Sequence, residues 1–394
     1  MSQELINHNP DLRKLRDEGY AVEVRDGYLL VHEVPYVNSK CQIKYGILVS
    51  DLTSLAGDKT IGPISQHVAH FIGEHPCNSD GTLKKGIQHS SQNQQLAKDL
   101  VINHSFSNKP AKGYTDYYEK MTNYANIISA EAKAIDDSVT EKPFTIINSD
   151  DHESVFNYLD TNSSKAKISA ISSKLEGQKV AIIGLGGTGS YVLDLIAKTP
   201  VQEIHLFDGD VLLNHNAFRS PGAPAADKLR EIYKKSDYFQ EIYSKMRRNI
   251  HSHNYYITST NIDELSAMDF VFICFDKGGI KKLIVDHLIA KNLSFIDVGM
   301  GVLIVDDSLL GHIRVTTSTT NKRDHIKDRI TFSEAGAAND YSSNIQIADL
   351  NALNAAIAVM KWKKLFGFYQ DLNKEFNTTY SINDGKLFNE DHIT

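Results

Sequence analysis

The sequence predicts an α/β protein with a mainly parallel sheet, preceded by a smaller α+β domain. Three observations carry that expectation. Four short apolar runs, residues 179–184, 203–208, 270–276 and 294–298, alternate with helical stretches, as parallel strands buried on both faces do. The first run leads into a glycine-rich loop and then a helix. The N-terminal third instead shows closely spaced strand-like text with turn signals.

In order along the chain, Val22-Glu23-Val24-Arg25 alternates, and Tyr28-Leu29-Leu30-Val31 follows the turn pair Asp26-Gly27. Gly46-Ile47-Leu48-Val49 is a third strand candidate. Residues 73–108 are rich in Gly, His, Ser and Asn and read as loops. From 114 to 135, Tyr118, Met121, Tyr124, Ile127 and Ile128 line one face of a helix. The polar stretch from Asp150-Asp151-His152 to Ser164 reads as a linker, which divides the chain into an accessory domain, 1–150, and a larger domain, 151–394. A long helix over 345–366 is closed by Gly367, with Trp362 packed inward and Lys361, Lys363 and Lys364 facing water.

Composition removes several function classes. The chain has 394 residues, room for two or three domains. A net charge of -7 argues against general nucleic-acid binding, which needs a basic field. No apolar run approaches the roughly 20 residues that span a bilayer, and the first residues lack the pattern of a signal peptide. Cys41, Cys77 and Cys274 are too scattered for a disulfide framework or a zinc cage. The sixteen histidines form no metal-binding spacing, and His251-Ser252-His253 reads as solvated. A cytoplasmic protein without membrane or nucleic-acid partners is expected.

The chemistry concentrates after residue 179. Gly184-Leu185-Gly186-Gly187-Thr188-Gly189 lies between a strand and a helix, where glycines let backbone N–H groups approach phosphates at the helix N-terminus. The second strand ends at Asp208, an acidic residue able to bind a ribose hydroxyl of either NAD or ATP. The next residues favour ATP. Asp210, Asn216 and Arg219 crowd just past the ribose position, and a triphosphate needs such an amide and guanidinium where a dinucleotide does not.

At these residues the chain resembles the ThiF/MoeB/ubiquitin-activating superfamily. Gly184, Gly186, Gly187 and Gly189 match its GxGGxG loop, Asp208 and Asp210 its DxD pair, and Asn216 and Arg219 its N-x-x-R. Asp276 matches its magnesium-binding aspartate, with Lys277 where the family has Asn and Lys281 at its basic position. The resemblance covers roughly 164–362. It implies a Rossmann-like adenylation domain that uses ATP and Mg²⁺ to activate the C-terminal carboxylate of a ubiquitin-like or sulfur-carrier protein, in a bacterial conjugation pathway. Asp208 would hold the ribose, Arg219 and a lysine the triphosphate, and Asp276 the metal. Lys228, Lys234 and Lys235 are candidates for that lysine, and Lys235 is preferred because 243–251 resembles the family's next helix. The resemblance also implies a homodimer in which Lys165 reaches the partner's site.

Two departures limit this reading. Paired CxxC motifs are missing, so no zinc is expected, and no cysteine lies between 299 and 394 to take a thioester. The enzyme would stop at the adenylate, pass it to a conjugating-enzyme-like acceptor, or use a hydroxyl among 316–320. Cys274 reads as core and Cys77 as inert. The N-terminal third resembles an uncharacterised domain fused to such modules. A non-catalytic nucleotide-binding scaffold and an NAD-dependent oxidoreductase remain the alternatives.

Overall fold

The computed structural model describes residues 2–62, 64, 66–147, 154–332 and 345–392. Asp150-Asp151-His152, where the linker is expected, lies outside them. The chain forms two compact units, Met1–Ser173 and Lys174–Thr394. Among the described residues, no helix is long and apolar enough to cross a membrane.

The first unit is built on a six-stranded antiparallel sheet, in the order Ala21–Arg25, Tyr28–Val37, Ile43–Asp51, Val68–Ile72, His104–Ser107, Gln88–Ser90. Its first hairpin turns on Asp26 and Gly27, both at positive φ, as a tight two-residue turn requires. The Tyr117–Ile135 helix starts where Asp116 caps the Glu119 N–H at 2.8 Å. It buries Tyr117, Met121, Tyr124 and Ile128. Its Lys120 is fully buried, with Nζ 2.8 Å from both Ser50 Oγ and the Val68 carbonyl. Burial pushes this ammonium down to about 8, against the opposing pull of Asp51. The stretch read as loops holds four short strands, Gln88–Ser90, Gln94–Ala97, Leu100–Ile102 and His104–Ser107. Their polar residues hid the alternation.

The second unit carries an eight-stranded sheet: Ile250–His253, Glu203–Phe207, Lys179–Ile183, Phe270–Ile273, Ser294–Val305, Ser308–Ser318, Glu375–Ser381, Lys386–His392. The first five strands are parallel and the last three add antiparallel. Val180 and Ile182 enter the core on one face, and Ala181 and Ile183 on the other, which explains the unbroken apolar run. From the Lys179 strand the chain steps outward twice, then crosses back to Phe270. The sheet therefore has a switch point between the Lys179 and Phe270 strands.

The antiparallel extension was not legible in the sequence. The Ser294 strand runs on to Val305 and turns at Asp306 and Asp307, both at positive φ, without the glycine that usually marks such a turn. The last long helix is Ala348–Leu365, followed by Gly367 at φ 69. Trp362 is buried against Phe272 and Phe366. Lys361, expected to face water, is also buried, with Nζ 3.1 Å from the Glu375 carbonyl. Glu375, at the start of the Glu375–Ser381 strand, closes over this ammonium.

Candidate active site

Open α/β sheets bind ligands outside the carboxyl ends of their strands at the switch point, and here the glycine loop and Asp276 both follow the two central strands. Gly184 has φ +89, and a Cβ there would lie 2.8 Å from the Cys274 carbonyl. A Cβ on Gly189 would sit 1.9 Å from the Gly184 carbonyl, so that glycine seats the helix against the strand. Gly186 differs, since its nearest neighbour would be Gln346 Oε1 at 3.9 Å. It presents open backbone. The helix begins at Gly187, three residues before the expected start, which aims its first amides at the cleft.

Asp208 is 5% exposed and does more than end a strand. Its Oδ2 accepts the Leu185 N–H at 2.6 Å and its Oδ1 the Asp210 N–H at 2.8 Å. Burial raises its pKa, with Lys235 opposing. Nothing in the residue pattern signals this bracing of the glycine loop.

Asp210 pairs with Lys235 Nζ at 2.9 Å and accepts from the Tyr256 hydroxyl. Burial alone would raise its pKa, but Lys235 and Tyr256 hold it below the ordinary value. Lys235 is buried, while Lys234 Nζ reaches the Gly209 carbonyl at 2.6 Å. Lys228 bonds Tyr233 and Glu241 instead. The helix lies at Lys235–Tyr243 and is followed by the Ile250–His253 strand. The expected helix over 243–251 is therefore corrected, although Lys235 does stand beside the DxD pair.

Asn216 is buried, and its Oδ1 accepts the Leu213 N–H at 2.9 Å. Its Nδ2 and the Nε of Arg219 are buried without a partner. Two orphaned donors need an acceptor. Burial lowers the Arg219 pKa, with Asp210 opposing. Asn351 ties this segment to the glycine loop: its Nδ2 donates to the Arg219 carbonyl at 3.3 Å, and its Oδ1 accepts from Thr188 Oγ1 at 2.9 Å. Asn351 was not singled out in the sequence. Its only signal is a second asparagine three residues on, Asn354, on the same helix face.

Asp276 borders a small cleft with Gly187, Thr188, Gly299, Met300 and Asn351. Its carboxylate is half exposed, 3.6 Å from Lys281 Nζ. Lys281 points down to the fully buried Asp297 at 2.8 Å, and Arg314 meets the same carboxylate at 2.6 Å. Asp276 is thus left with coordination capacity toward the cleft, and one such carboxylate suits magnesium shared with phosphate oxygens.

Lys165 is exposed on the Thr161–Lys165 helix of the first unit. Burial pushes the thiols of Cys77 and Cys274 up, which disfavours thiolate chemistry. Thr316, Thr317 and Ser318 are buried in a strand and closed to an incoming carrier, whereas Thr319 is half-buried and Thr320 exposed.

Comparison with known proteins gives two matches along the chain. Residues 160–385 match the ThiF family, and residues 10–161 match a domain of unknown function (DUF6791). No curated protein matches. Among solved structures, E. coli MccB aligns over 78% of this chain and 94% of its own, with a TM-score of 0.46 and 15% identity. A crystal structure of E. coli MccB with ATP aligns over 77% and 95%, with 0.46 and 16%. Selenomethionyl PaaA aligns over 69% and 83%, with 0.46 and 15%.

Proposed function

Because the chain belongs to the ThiF family, we propose that it is an ATP-dependent adenylyltransferase acting on a carboxylate, and that this carboxylate is the C-terminus of a ubiquitin-like or sulfur-carrier protein. The observation that carries the reading is the pair of orphaned buried donors, Asn216 Nδ2 and Arg219 Nε, joined through Asn351 to the glycine loop. A buried donor without a partner is costly, and triphosphate oxygens supply the missing acceptors.

In this reading the amides that open the Gly187–Ala197 helix bind phosphate. Asp208 takes the ribose while still bracing Leu185. The carrier's carboxylate oxygen attacks the α-phosphorus, the bond to the bridging oxygen of the β-phosphate breaks, and pyrophosphate leaves with that electron pair. Arg219, with Lys235 or Lys234, offsets the charge that grows on the phosphates. Asp276 would hold Mg²⁺, whose contribution is to neutralise phosphate charge. Lys165 would come from a second copy of the chain in a homodimer.

The test is carrier-dependent exchange of labelled pyrophosphate into ATP. Exchange that needs both the carrier and its free C-terminus supports the reading. Nucleotide binding without exchange would make the chain a scaffold, and hydride transfer with NAD would make it an oxidoreductase.

A further inference from the structure

A histidine–carboxylate cluster spans the two outermost parallel strands. Glu203 and His205 lie on one face of the Glu203–Phe207 strand, and His251 is the register partner of His205 on the Ile250–His253 strand. One ligand atom each from Glu203, His205 and His251 lie within 4.8 Å of one another. Glu203 Oε2 is 3.0 Å from His205 Nε2 and 3.9 Å from His251 Nε2. Tetrahedral zinc separates its ligand atoms by about 3.3 Å, given bonds of about 2.0 Å. His251-Ser252-His253 reads as solvated in sequence because Glu203 and His205 come from a different strand.

The hydrogen-bond chain behind the cluster points the same way. Glu203 Oε2 meets His205 Nε2 at 3.0 Å, His205 Nδ1 meets His253 Nε2 at 3.0 Å, His253 Nδ1 meets the Tyr255 hydroxyl at 2.9 Å, and that hydroxyl meets Glu264 Oε2 at 2.7 Å. Both ends are carboxylates, which only accept. The chain has four links, but its three neutral groups, two imidazoles and a phenol, bring three hydrogens. With Tyr255 donating to Glu264, His253 must donate to Tyr255 and His205 to His253. The lone pair of His205 Nε2 then faces the carboxylate of Glu203, an acceptor-to-acceptor contact that a bound cation would satisfy. Lys179 engages the other oxygen, Oε1, at 2.9 Å. An extra proton on that contact is the competing answer.

We propose that Glu203, His205 and His251 bind a divalent transition ion, zinc by ligand type, with solvent in the fourth position and His253 as the outer partner that fixes the tautomer of His205. The ion would staple the edge strand to its neighbour. That neighbour leads into Asp208, whose N–H also donates to the His253 carbonyl at 3.1 Å. The site would thus brace the strand pair behind the glycine loop, and it does not depend on the adenylation reading.

The test uses the full chain, stripped with a chelator and titrated with Zn²⁺ alone against a chromogenic competitor, then with Co²⁺ to read coordination from the intensity of its visible bands. The expected result is one ion per chain with tetrahedral cobalt intensity. His251→Ala, at an exposed edge position, and Glu203→Gln should each lose at least tenfold in affinity. His253→Phe should lose about 10–100-fold, as an outer-partner change does. His8→Ala, in the first unit, should lose nothing. No stoichiometric uptake would overturn the proposal and leave a protonated His205. Uptake unchanged in folded His251→Ala and Glu203→Gln proteins would overturn it equally.

Discussion

The carboxylate of Asp208 accepts the backbone N–H of Leu185 at 2.6 Å, so one buried side chain both closes the second strand and sets the shape of the glycine loop. Asp208→Asn would turn an amide NH₂ toward one of two backbone donors and leave that donor unpaired. The expected cost is roughly 1–3 kcal/mol of stability, together with weaker ATP binding. Thermal unfolding with and without ATP measures both, and an unchanged midpoint and affinity would exclude the bracing role.

The loop glycines should separate by function. Gly189→Ala places a Cβ 1.9 Å from the Gly184 carbonyl, an overpacking expected to cost about 1–3 kcal/mol. Gly186→Ala meets nothing closer than 3.9 Å and should leave stability within about 0.5 kcal/mol. Its methyl group would stand where phosphate approaches, so ATP affinity should fall about tenfold or more, ~1.4 kcal/mol. Calorimetry of unfolding and of ATP binding distinguishes the two variants.

Arg219→Ala should reduce pyrophosphate exchange about a hundredfold, the ~3 kcal/mol typical of losing one pre-organised donor at the transition state. Arg219→Lys restores charge without the planar fork and should recover only part of it. A loss confined to thermal stability would assign Arg219 a structural role.

Asp276 is half exposed at the cleft edge, so Asp276→Ala should fold normally and lose exchange activity. If Lys165 serves the partner's site, Lys165→Ala is inactive too. Mixing the two variants should then restore part of the activity, because a mixed dimer contains one site with both residues intact. Subunit exchange is followed by a size tag on one variant, and exchange without recovery would remove Lys165 from the mechanism.

The first unit should gain stability with rising pH. Folding lowers the Lys120 pKa from its ordinary 10.5 to about 8 through burial, so the unfolded chain holds more protons between those values. The gain is absent below about pH 8 and grows toward 10.5, to at most about 3 kcal/mol. Urea midpoints from pH 7.5 to 9.5 should climb, and Lys120→Met should flatten that climb. An equal slope in the variant would place the titration elsewhere.

The parallel half of the second unit was legible because its strands are buried on both faces and its loop demands glycine. The antiparallel extension was not, since its Asp306-Asp307 turn lacks the usual residues and the apolar run past Gly299 gives no clear period. Among the candidate residues, those carried by the glycine-loop and acidic-pair spacing could be named in advance. Asn351 could not, nor could the Lys281–Asp297–Arg314 cluster, because each depends on strands and helices that meet only in the folded sheet. The same limit hid His205 and His251, which the register of two strands makes neighbours.

The crossing at the switch point also bears on when the site comes into being. Ile183 and Ile273 are opposed on adjacent central strands, yet the Glu203 and Ile250 strands must be looped out before they can pair. Such non-local closure slows folding relative to hairpins. During synthesis the glycine loop would emerge well before the strand that leads to Asp276, so nucleotide cannot help the loop fold early. ATP should therefore slow unfolding of the finished protein and leave its refolding rate nearly unchanged.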